Sequence, residues 1–374
     1  MFHKLDPSTY DMIRPFLTEM SDLHLSIVSL LEALSPGEIF VDNLNEPKSV
    51  FGYSMRRFFL AGNPNNDGFN QGVKGFFNDT LYPNAADMKI PHFALHFSPM
   101  DWDDVIPKIL EGMNPVKDGR HYYAFRDSQL KHDWRSLIPE GFTLRRVDQD
   151  LLAERHLENL DRVTEELQSE RSSVEDFLGK SFGYCLVREN EEIVAWCMSE
   201  YNCAARCEVG IETVEDYQRR GFATVTASAV VEHAFSTGLT EVGWHCFASN
   251  QTSIATALKV GFKKICEFTE YWALTDRTVQ MAIKGNKCFQ RAEYAEAVDW
   301  YERSISSGEM PDWVYWNTSC AYAYLKNIDN VFKYLDQAVE HGFTDVDFFQ
   351  NSPHFTTLHE TEEWNALIEK LTTV

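Results

Sequence analysis

One segment of the chain has the residue types and spacing of an anion-binding loop. It runs from Glu208 to Thr224 and reads EVGIETVEDYQRRGFAT. A strand pattern leads into a loop that opens a helix, so unpaired backbone N–H groups and the positive end of the helix dipole meet at one point. Gly221 and Ala223 allow a ligand to approach the backbone closely. Because Arg219 and Arg220 add positive charge, we predict that this loop binds a pyrophosphate group.

The loop differs from two common phosphate-binding loops. No Gly-Lys-Ser/Thr follows it, which excludes a Walker A loop, and the GxGxxG fingerprint of dinucleotide-binding folds is absent. Instead, Gln218-x-x-Gly221-x-Ala223 resembles the Q/R-x-x-G-x-G/A loop of the GNAT superfamily of N-acetyltransferases, which holds the pyrophosphate of CoA. Asn250 is followed eleven residues later by Gly-Phe, as in the GNAT helix beside the CoA arm. The resemblance implies an α/β (α+β) fold with a mixed, mostly antiparallel central sheet flanked by helices, and acetyl-CoA as cosubstrate.

Further segments resemble one subset of that superfamily. They are Ser181-Phe-Gly-Tyr-Cys, Ile193-Val-Ala-Trp and Gly243-Trp-His-Cys. The subset is the bacterial family that includes zwittermicin A resistance acetyltransferases, and the resemblance covers roughly residues 135 to 275. It implies that residues 1–133 are the divergent N-terminal half of such proteins, an α/β domain that is a degenerate GNAT-like lobe.

The resemblance also implies which residues bind the cosubstrate. In GNAT enzymes the strand before the loop splays from its neighbour, and its backbone binds the pantetheine arm. Here that strand supplies Ile211, Glu212 and Thr213. Asn250 and Ser253 are expected near the pantetheine or the thioester. The pyrophosphate loop itself comprises Gln218, Arg219, Arg220, Gly221, Phe222, Ala223 and Thr224.

A general base is also required, because an amine is mostly protonated at neutral pH and must lose a proton before it attacks the thioester. Glu208 lies ten residues before Gln218, and histone-type GNAT enzymes place their general-base glutamate at that spacing. A structural ion pair of Glu208 with Arg206 or another basic group is an equally weighted alternative. The other candidates for the base are Glu200, Glu212, Asp216 and His245.

The general acid is less defined. Many GNAT enzymes place a tyrosine seven residues after the Asn, where it protonates the leaving thiolate, but that position here is Ala257. We expect Tyr271, on the last predicted strand, or solvent to take this role. No cysteine lies in an activated setting, so we predict direct transfer without an acyl-enzyme.

Three regions position these residues. The first, residues 1–133, is expected to alternate helix, strand, helix, strand and helix, with a helical opening over Tyr10 to Leu34. Its strands are predicted at Phe51 to Leu60 and His92 to Phe97. No catalytic constellation is evident in this region. Its scattered histidines are interpreted as structural; they are His92, His96 and His121.

The second region, residues 134–275, is predicted to be the acetyltransferase domain. Its strands are expected at Phe142 to Val147, Phe182 to Val187, Ile193 to Ser199, Arg206 to Thr213, Glu241 to Phe247 and Ile265 to Leu274. Its helices are expected at Leu151 to Leu167, Ala223 to Thr237 and Asn250 to Val260.

The third region, residues 276–374, is predicted to be an α-helical domain. Small and aromatic positions from Gly285 to Ser304 recur 34 residues later, from Ser319 to Ala338. A period of 34 is that of tetratricopeptide (TPR) helix-turn-helix repeats, so we predict a TPR-like domain closed by a helical cap that ends near Leu371. Two repeats are fewer than a free solenoid usually needs, which predicts packing on a neighbour.

Composition restricts the partners. The chain of 374 residues has a formal net charge of −23, which repels nucleic acid and anionic membranes and attracts cationic molecules. No run of about 18 apolar residues occurs, and the eight cysteines form no CxxC pair. We predict a cytoplasmic protein that uses no metal and binds neither nucleic acid nor membrane.

Three functions remain open on this basis. The favoured one is direct acetyl transfer to the amine of a small molecule. The second is a protein or peptide N-acetyltransferase that recruits a peptide partner through the TPR-like region. The third is a catalytically silent acyl-CoA-binding sensor or scaffold; Ala257 favours it and the intact loop opposes it.

Overall fold

The computed structural model describes residues 1–127, 130 and 133–373, and it divides the chain into two compact units. The first unit comprises Met1–Ile109 and Lys117–Trp272, and the second comprises Leu110–Val116 and the chain from Ala273 onward. The predicted boundary at 275/276 lies next to this division. The predicted boundary at 133/134 borders residues outside the described set, and strands on both sides of it belong to one sheet.

The first unit is built on a sheet of twelve described strands. Their bounds are β1 (His3–Lys4), β2 (Glu38–Val41), β3 (Ser49–Ser54), β4 (Arg57–Gly62), β5 (His92–Ser98), β6 (Val116–Phe125), β7 (Phe142–Arg146), β8 (Gly183–Arg188), β9 (Glu192–Cys203), β10 (Arg206–Thr213), β11 (Glu241–Phe247) and β12 (Lys263–Leu274).

In space the strands follow the order β1-β2-β3-β4-β5-β12-β6-β11-β10-β9-β8-β7. Strands β1 to β5 and β7 to β11 share one scheme, three antiparallel pairings and then a parallel one, which joins β4 to β5 and β10 to β11. We call β1 to β6 the first half of the sheet-forming chain and β7 to β12 the second half. The last strand of each half pairs within the other half, because β6 pairs with β11 and β12 lies beside β5. The sheet is therefore mixed and mostly antiparallel, as predicted.

Helices flank this sheet. The longest in the first unit, α9, packs against strands β8 to β11 and is buried nearly all round, which explains why its sequence is apolar on every side. The α-helices of this unit are α1 (Arg14–Leu23), α2 (Leu25–Leu31), α3 (Asp67–Gly75), α4 (Tyr82–Asn84), α5 (Ile106–Ile109), α6 (Gln149–Ala153), α7 (Leu160–Leu167), α8 (Val174–Lys180), α9 (Phe222–Ser236) and α10 (Gln251–Val260). Short 3-10 helices lie at Pro7–Ile13, Met100–Asp104, Trp134–Leu137 and Glu215–Tyr217, and a π-helix lies at Phe76–Leu81.

The helix expected over Tyr10 to Leu34 is interrupted at His24. The backbone of His24 is extended (φ −126°, ψ 103°), so α1 ends and α2 begins on either side of it. An interruption of this kind leaves N–H and C=O groups without intrahelical partners. Two of these groups reach the functional site described below.

Two other predicted elements are also divided. The strand expected over Phe51 to Leu60 is a hairpin of β3 and β4, because Met55 adopts φ +50° in a turn. The helix expected over Leu151 to Leu167 is two helices, and Asn159, at φ +64°, immediately precedes the second. Strands β1, β2 and β6 are additional to those predicted. The other elements predicted for residues 134–275 are present, with ends displaced by a few residues.

The second unit is helical, as predicted. Its helices are α11 (Arg277–Gln290), α12 (Tyr294–Ser306), α13 (Asp312–Tyr324), α14 (Ile328–Glu340), α15 (Val346–Asn351) and α16 (Glu362–Thr373). Helix α11 packs on α12, and α13 packs on α14. Gly285 allows the first pair to approach closely, because a Cβ there would lie 2.6 Å from the ring of Tyr301. The helix pairs agree with the 34-residue period, and their assignment to the TPR class remains a prediction.

None of the described helices combines the length and the apolar character needed to cross a bilayer.

Candidate active site

The parallel strands β10 and β11 separate part-way along their length. Their pairing ends at Val209 and Trp244, although the strands continue to Thr213 and Phe247. A β-bulge coincides with this point, because β9 holds one extra residue, Glu200, at the register shift. Backbone groups that a continuous pair would use therefore face an opening between the strands.

A cavity of about 700 Å³ lies at this opening. It is bounded by the end of β10, the loop that follows, the start of α9 and one face of α10. Eleven of the twelve residues predicted to bind the cosubstrate line it, and these are Ile211, Glu212, Thr213, Gln218, Arg219, Gly221, Phe222, Ala223, Thr224, Asn250 and Ser253. The twelfth, Arg220, places its guanidinium over the ring of Tyr217, 5.1 Å from the ring centroid.

The loop before α9 presents free backbone donors. Arg219 and Gly221 adopt φ +62° and +88°, and left-handed residues that alternate in this way turn successive N–H groups to one side. No side chain caps α9, and among the described residues the N–H groups of positions 222–224 have no hydrogen-bond acceptor. A Cβ at Gly221 would meet only the Lys259 Nζ, 3.8 Å away. The loop therefore fits a pyrophosphate group.

Lys259 adds a positive charge that the sequence analysis did not identify. It lies on the face of α10 that lines the cavity, with Thr252, Ala255 and Thr256 at helical spacing on the same face. Helical spacing reaches Lys259 from Thr252 but not from Asn250, which lies nine residues earlier and therefore half a turn away around the helix.

The side chains of Asn250 and Ser253 are fixed at the opening. Asn250 Oδ1 accepts the backbone N–H of Ser253 at 3.0 Å, which caps α10. Ser253 Oγ accepts the indole N–H of Trp244, also at 3.0 Å. Together with Ile211, these residues line both the large cavity and a second, smaller one. The two cavities therefore adjoin between β10 and β11.

The smaller cavity has a volume of about 220 Å³ and a strongly polar wall. Seven strands contribute ionisable side chains to it, and His24, at the break between α1 and α2, adds another. These side chains are Arg57 on β4, His96 on β5, Arg120 on β6, Glu200 on β9, Glu208 on β10, His245 on β11 and Glu270 on β12.

Glu208 is 6% exposed and lies in this wall. Its Oε1 accepts the backbone N–H of Leu25 at 2.7 Å and lies 3.4 Å from Nε2 of His245. Arg206 binds elsewhere: its guanidinium donates to two backbone carbonyls of α1 and lies 3.8 Å from Glu241. The alternative to a base was an ion pair of Glu208 with Arg206 or another basic group. The pair with Arg206 is not formed in the described part of the chain, and His245 is the basic group beside Glu208.

Comparison with known proteins identifies the family of this chain. A family model described as GNAT acetyltransferase matches residues 17–271, which is more than half of the chain. The chain belongs to the GNAT acetyltransferase family. An uncharacterised N-acetyltransferase of Bacillus subtilis strain 168, YdfB, is 28% identical over 249 residues, which cover 66% of this chain and 89% of YdfB. A second from that strain, YoaA, is 40% identical over 60 residues, covering 16% of this chain and 34% of YoaA.

The GNAT fold is shared with a solved structure. A GCN5-related N-acetyltransferase-like protein from Streptococcus suis 89/1591 superposes with a TM-score of 0.50 at 22% identity, covering 68% of this chain and 97% of that protein. The predicted fold class is therefore confirmed. The chain is an acetyltransferase, and GNAT enzymes use acetyl-CoA as cosubstrate.

The other candidate bases of this GNAT acetyltransferase occupy different positions. Glu200 and His245 lie in the wall of the smaller cavity. Burial and the neighbouring Glu170 raise the pKa of Glu200 to about 8, against the effect of Arg57. Glu212 lines the larger cavity and pairs with Arg162. Asp216 lines neither cavity.

The structure does not bring Tyr271, the predicted general acid, to either cavity. Its hydroxyl donates to Asp103 at 2.8 Å. Burial and this hydrogen bond raise the pKa of Tyr271 above its usual range. The reason lies in the strand order, because β12 is separated from β11 by β6.

Residues 1–133 contribute side chains to the wall of the smaller cavity, which the sequence analysis did not predict. His96 was interpreted as structural, yet it lies in the wall of the smaller cavity, and its ring stacks on that of His24 at 3.8 Å. Burial lowers the pKa of both rings well below the usual value. His96 Nδ1 is buried and has no hydrogen-bond partner among the described residues; it lies 3.6 Å from a carboxylate oxygen of Glu270. His92 and His121 line neither cavity.

Proposed function

We propose that this GNAT acetyltransferase moves an acetyl group directly from acetyl-CoA to the amine of a small molecule. The observation that carries the proposal is the junction of the two cavities, which share Ile211, Trp244, Asn250 and Ser253. A ligand arm in the larger cavity and an amine in the smaller one would meet at these four residues.

The larger cavity fits CoA through groups of this chain. The free N–H groups at the start of α9 and the Lys259 ammonium would hold the pyrophosphate. The backbone from Ile211 to Thr213 pairs with β9 on one side, and its groups on the side of β11 would bind the pantetheine arm. Asn250 and Ser253 would lie beside the thioester. Acetyl-CoA, when bound, supplies an acetyl group activated by its thioester.

The smaller cavity fits a compact amine. Its volume of about 220 Å³ lies below the roughly 300–1,000 Å³ of pockets for drug-sized ligands. Glu208 and Glu270 place carboxyl groups in its wall, where an ammonium group would find counter-charges. Glu208 and the adjacent His245 would remove the ammonium proton. A thiolate is a good leaving group, so solvent can protonate it without Tyr271.

Two finer assignments form part of this proposal. The pairing scheme shared by β1 to β5 and β7 to β11 supports the interpretation of the first half as a degenerate GNAT-like lobe. The resemblance of residues 135 to 275 to the family of zwittermicin A resistance acetyltransferases favours a small polar amine as acceptor. We further propose that the protein is cytoplasmic and uses no metal.

A peptide acceptor is the second candidate. It rests on the helix pairs of the second unit, α11 with α12 and α13 with α14, whose spacing is that of peptide-binding TPR repeats.

Thiol release from acetyl-CoA tests these alternatives. The chain would be assayed with a panel of small amines and with peptides that carry free N-termini or lysines. Turnover of small amines supports the proposal, and turnover of peptides alone favours the second candidate. CoA binding without turnover of any acceptor would contradict both and leave a binding protein.

A further inference from the structure

The break at His24 contacts two side chains of the smaller cavity through its backbone. The carbonyl of Leu23 accepts a hydrogen bond from Nε2 of His245 at 3.0 Å, and the N–H of Leu25 donates to Glu208 at 2.7 Å. Leu25 is the first residue of α2, so its N–H has no partner within the helix. A segment of the first half therefore fixes a pair of ionisable groups in the second half.

The hydrogen bond to the Leu23 carbonyl determines which ring nitrogen of neutral His245 carries the hydrogen. A carbonyl oxygen only accepts hydrogen bonds, so Nε2 carries the hydrogen and the neutral ring keeps a lone pair on Nδ1. Nδ1 makes no hydrogen bond among the described residues, and the ring lines the smaller cavity. Stacking with Tyr122 at 4.7 Å and His24 at 5.3 Å holds the ring in place.

Glu208 lies on the opposite side of that ring. Its Oε1 is 3.4 Å from Nε2 of His245, and the same oxygen accepts the Leu25 N–H. A carboxylate at this position stabilises positive charge on the imidazole, as a hydrogen-bonded carboxylate does for the histidine of a catalytic triad. The basic lone pair of Nδ1 remains available for a proton.

We propose that Nδ1 of His245 accepts the proton of the acceptor ammonium, and that Glu208, held by the Leu25 N–H, is a positioning residue that stabilises the resulting imidazolium. This inference rests on the proposed function. The deprotonated nitrogen forms a C–N bond to the acetyl carbon while the C–S bond breaks. The second proton of that nitrogen passes to the leaving sulfur, and the imidazolium returns its proton to solvent.

Several ionisable groups surround this pair, and burial changes the charge that some of them carry at neutral pH. His24 and His96 are neutral there, because burial lowers their pKa values. Burial and the charge of Glu208 raise the pKa of Tyr122, whose hydroxyl donates to Glu241. The pKa of about 8 keeps Glu200 mostly protonated. The other ionisable groups nearby are Arg57, Arg120, Cys203, Arg206, Cys207 and Glu270.

Nitrogen NMR of 15N-histidine-labelled protein tests the pair without any acceptor. The His245→Gln variant identifies the signals of the ring. We expect the neutral ring to carry its hydrogen on Nε2. We expect the same tautomer in Glu208→Gln, because the Leu23 carbonyl still accepts that hydrogen. A hydrogen on Nδ1 of the wild-type ring would overturn the proposal.

The pH dependence of kcat/KM then assigns the proton acceptor. The same acceptor amine is used for every variant, so its own titration cancels in the comparison. We expect Glu208→Gln to reduce kcat/KM but to keep the acid limb of its pH profile, and we expect His245→Gln to lose that limb. The reverse pattern would show that Glu208 takes the proton directly, which overturns this inference and leaves the proposed function standing. Absence of turnover with every acceptor would overturn both.

Two substitutions at one position test the backbone contact. Leu25→Pro deletes the N–H at the first position of α2, where proline is tolerated, and His24 already has the extended backbone that must precede proline. Leu25→Ala removes the same buried side chain but keeps the N–H. We expect kcat/KM of the proline variant to lie about tenfold or more below that of the alanine variant, the scale for a lost hydrogen bond to a charged group. Equal values would remove Leu25 from the proposal.

Discussion

Carboxyl groups crowd one point of the smaller cavity, where Gly210 leaves room for them. A Cβ on this glycine would clash with Oε1 of Glu200 and would lie 2.6 Å from Oε1 of Glu166. The pKa values of both carboxyl groups are raised, chiefly by burial and also by Glu170. Ionisation of Glu200 therefore costs folding free energy, which makes stability sensitive to pH.

Glu200→Gln should reveal this dependence. Gln mimics the protonated carboxyl, whose stabilising contribution is complete below the usual carboxyl pKa of about 4.3. That contribution is lost as the pH rises through the folded-state pKa of about 8. We therefore expect the Tm of the wild type to fall progressively below that of the variant between about pH 5 and pH 9. A Tm difference that stays constant over this range would contradict the assignment.

Glu208→Gln should lower turnover by about 10²-fold or more, the scale of general-base catalysis, because His245 loses the carboxylate that stabilises its protonated form. CoA affinity should change little. The amide keeps the shape of the side chain but carries no negative charge. Higher pH should partly rescue the variant, because more of the amine is then already neutral. The measurement is the pH–rate profile together with the Tm.

Glu215→Gln is a matched control for this variant, because Glu215 is exposed and lines neither cavity. A fall in Tm with near-normal turnover in Glu208→Gln would instead indicate a purely structural carboxylate.

At the scale of elements, the loop between β10 and α9 depends on its left-handed residues. We expect Gly221→Val to abolish measurable CoA binding with the fold retained, because a β-branched residue resists φ +88° and adds bulk beside the pyrophosphate site. Isothermal titration with CoA is the measurement. Gly238→Val is a matched control, because Gly238 has φ +93° at the other end of α9 with open space around it. Equal loss of affinity in both variants would point to general strain.

The elements also show which parts of the site the sequence could predict. The loop from Gln218 to Thr224 was predictable because strand, loop and helix are adjacent in the chain and create the anion site locally. Lys259 was not predictable in this way, because helical spacing from Asn250 and Ser253, the two predicted positions there, does not reach it. The break at His24 could not be predicted, since the sequence from Tyr10 to Leu34 contains no glycine before its end and its only early proline suits a helix start.

At the scale of the whole molecule, the site residues that could not be predicted are those that the strand order brings together. Arg57, His96 and Arg120 lie on three strands of the first half and meet His245 only because β6 and β12 cross between the halves. No local sequence pattern predicts such a crossing, because the pattern of apolar and polar residues in a strand does not indicate which other strand it will pair with. The same crossing places Tyr271 away from the opening between β10 and β11.

Ligand binding should stabilise the molecule as a whole. A ligand bound only by the native state stabilises it by about 2.7 kcal/mol at a hundredfold excess over its Kd. We therefore expect millimolar acetyl-CoA to raise the Tm measurably. Gly221→Val is the control and should show no such rise. An unchanged Tm in the wild type would argue against the loop as a CoA site.

The exchange of β6 and β12 also bears on how the chain is made and how it evolves. During synthesis on the ribosome, one edge of β5 has no partner until β12 (Lys263–Leu274) has emerged. Strand β6 has no partner until β11 (Glu241–Phe247) has emerged. The first half therefore cannot complete its sheet during synthesis and exposes open strand edges until the second half arrives. Gene fusion or recombination cannot replace one half as a cassette, because each half supplies a strand that the other needs.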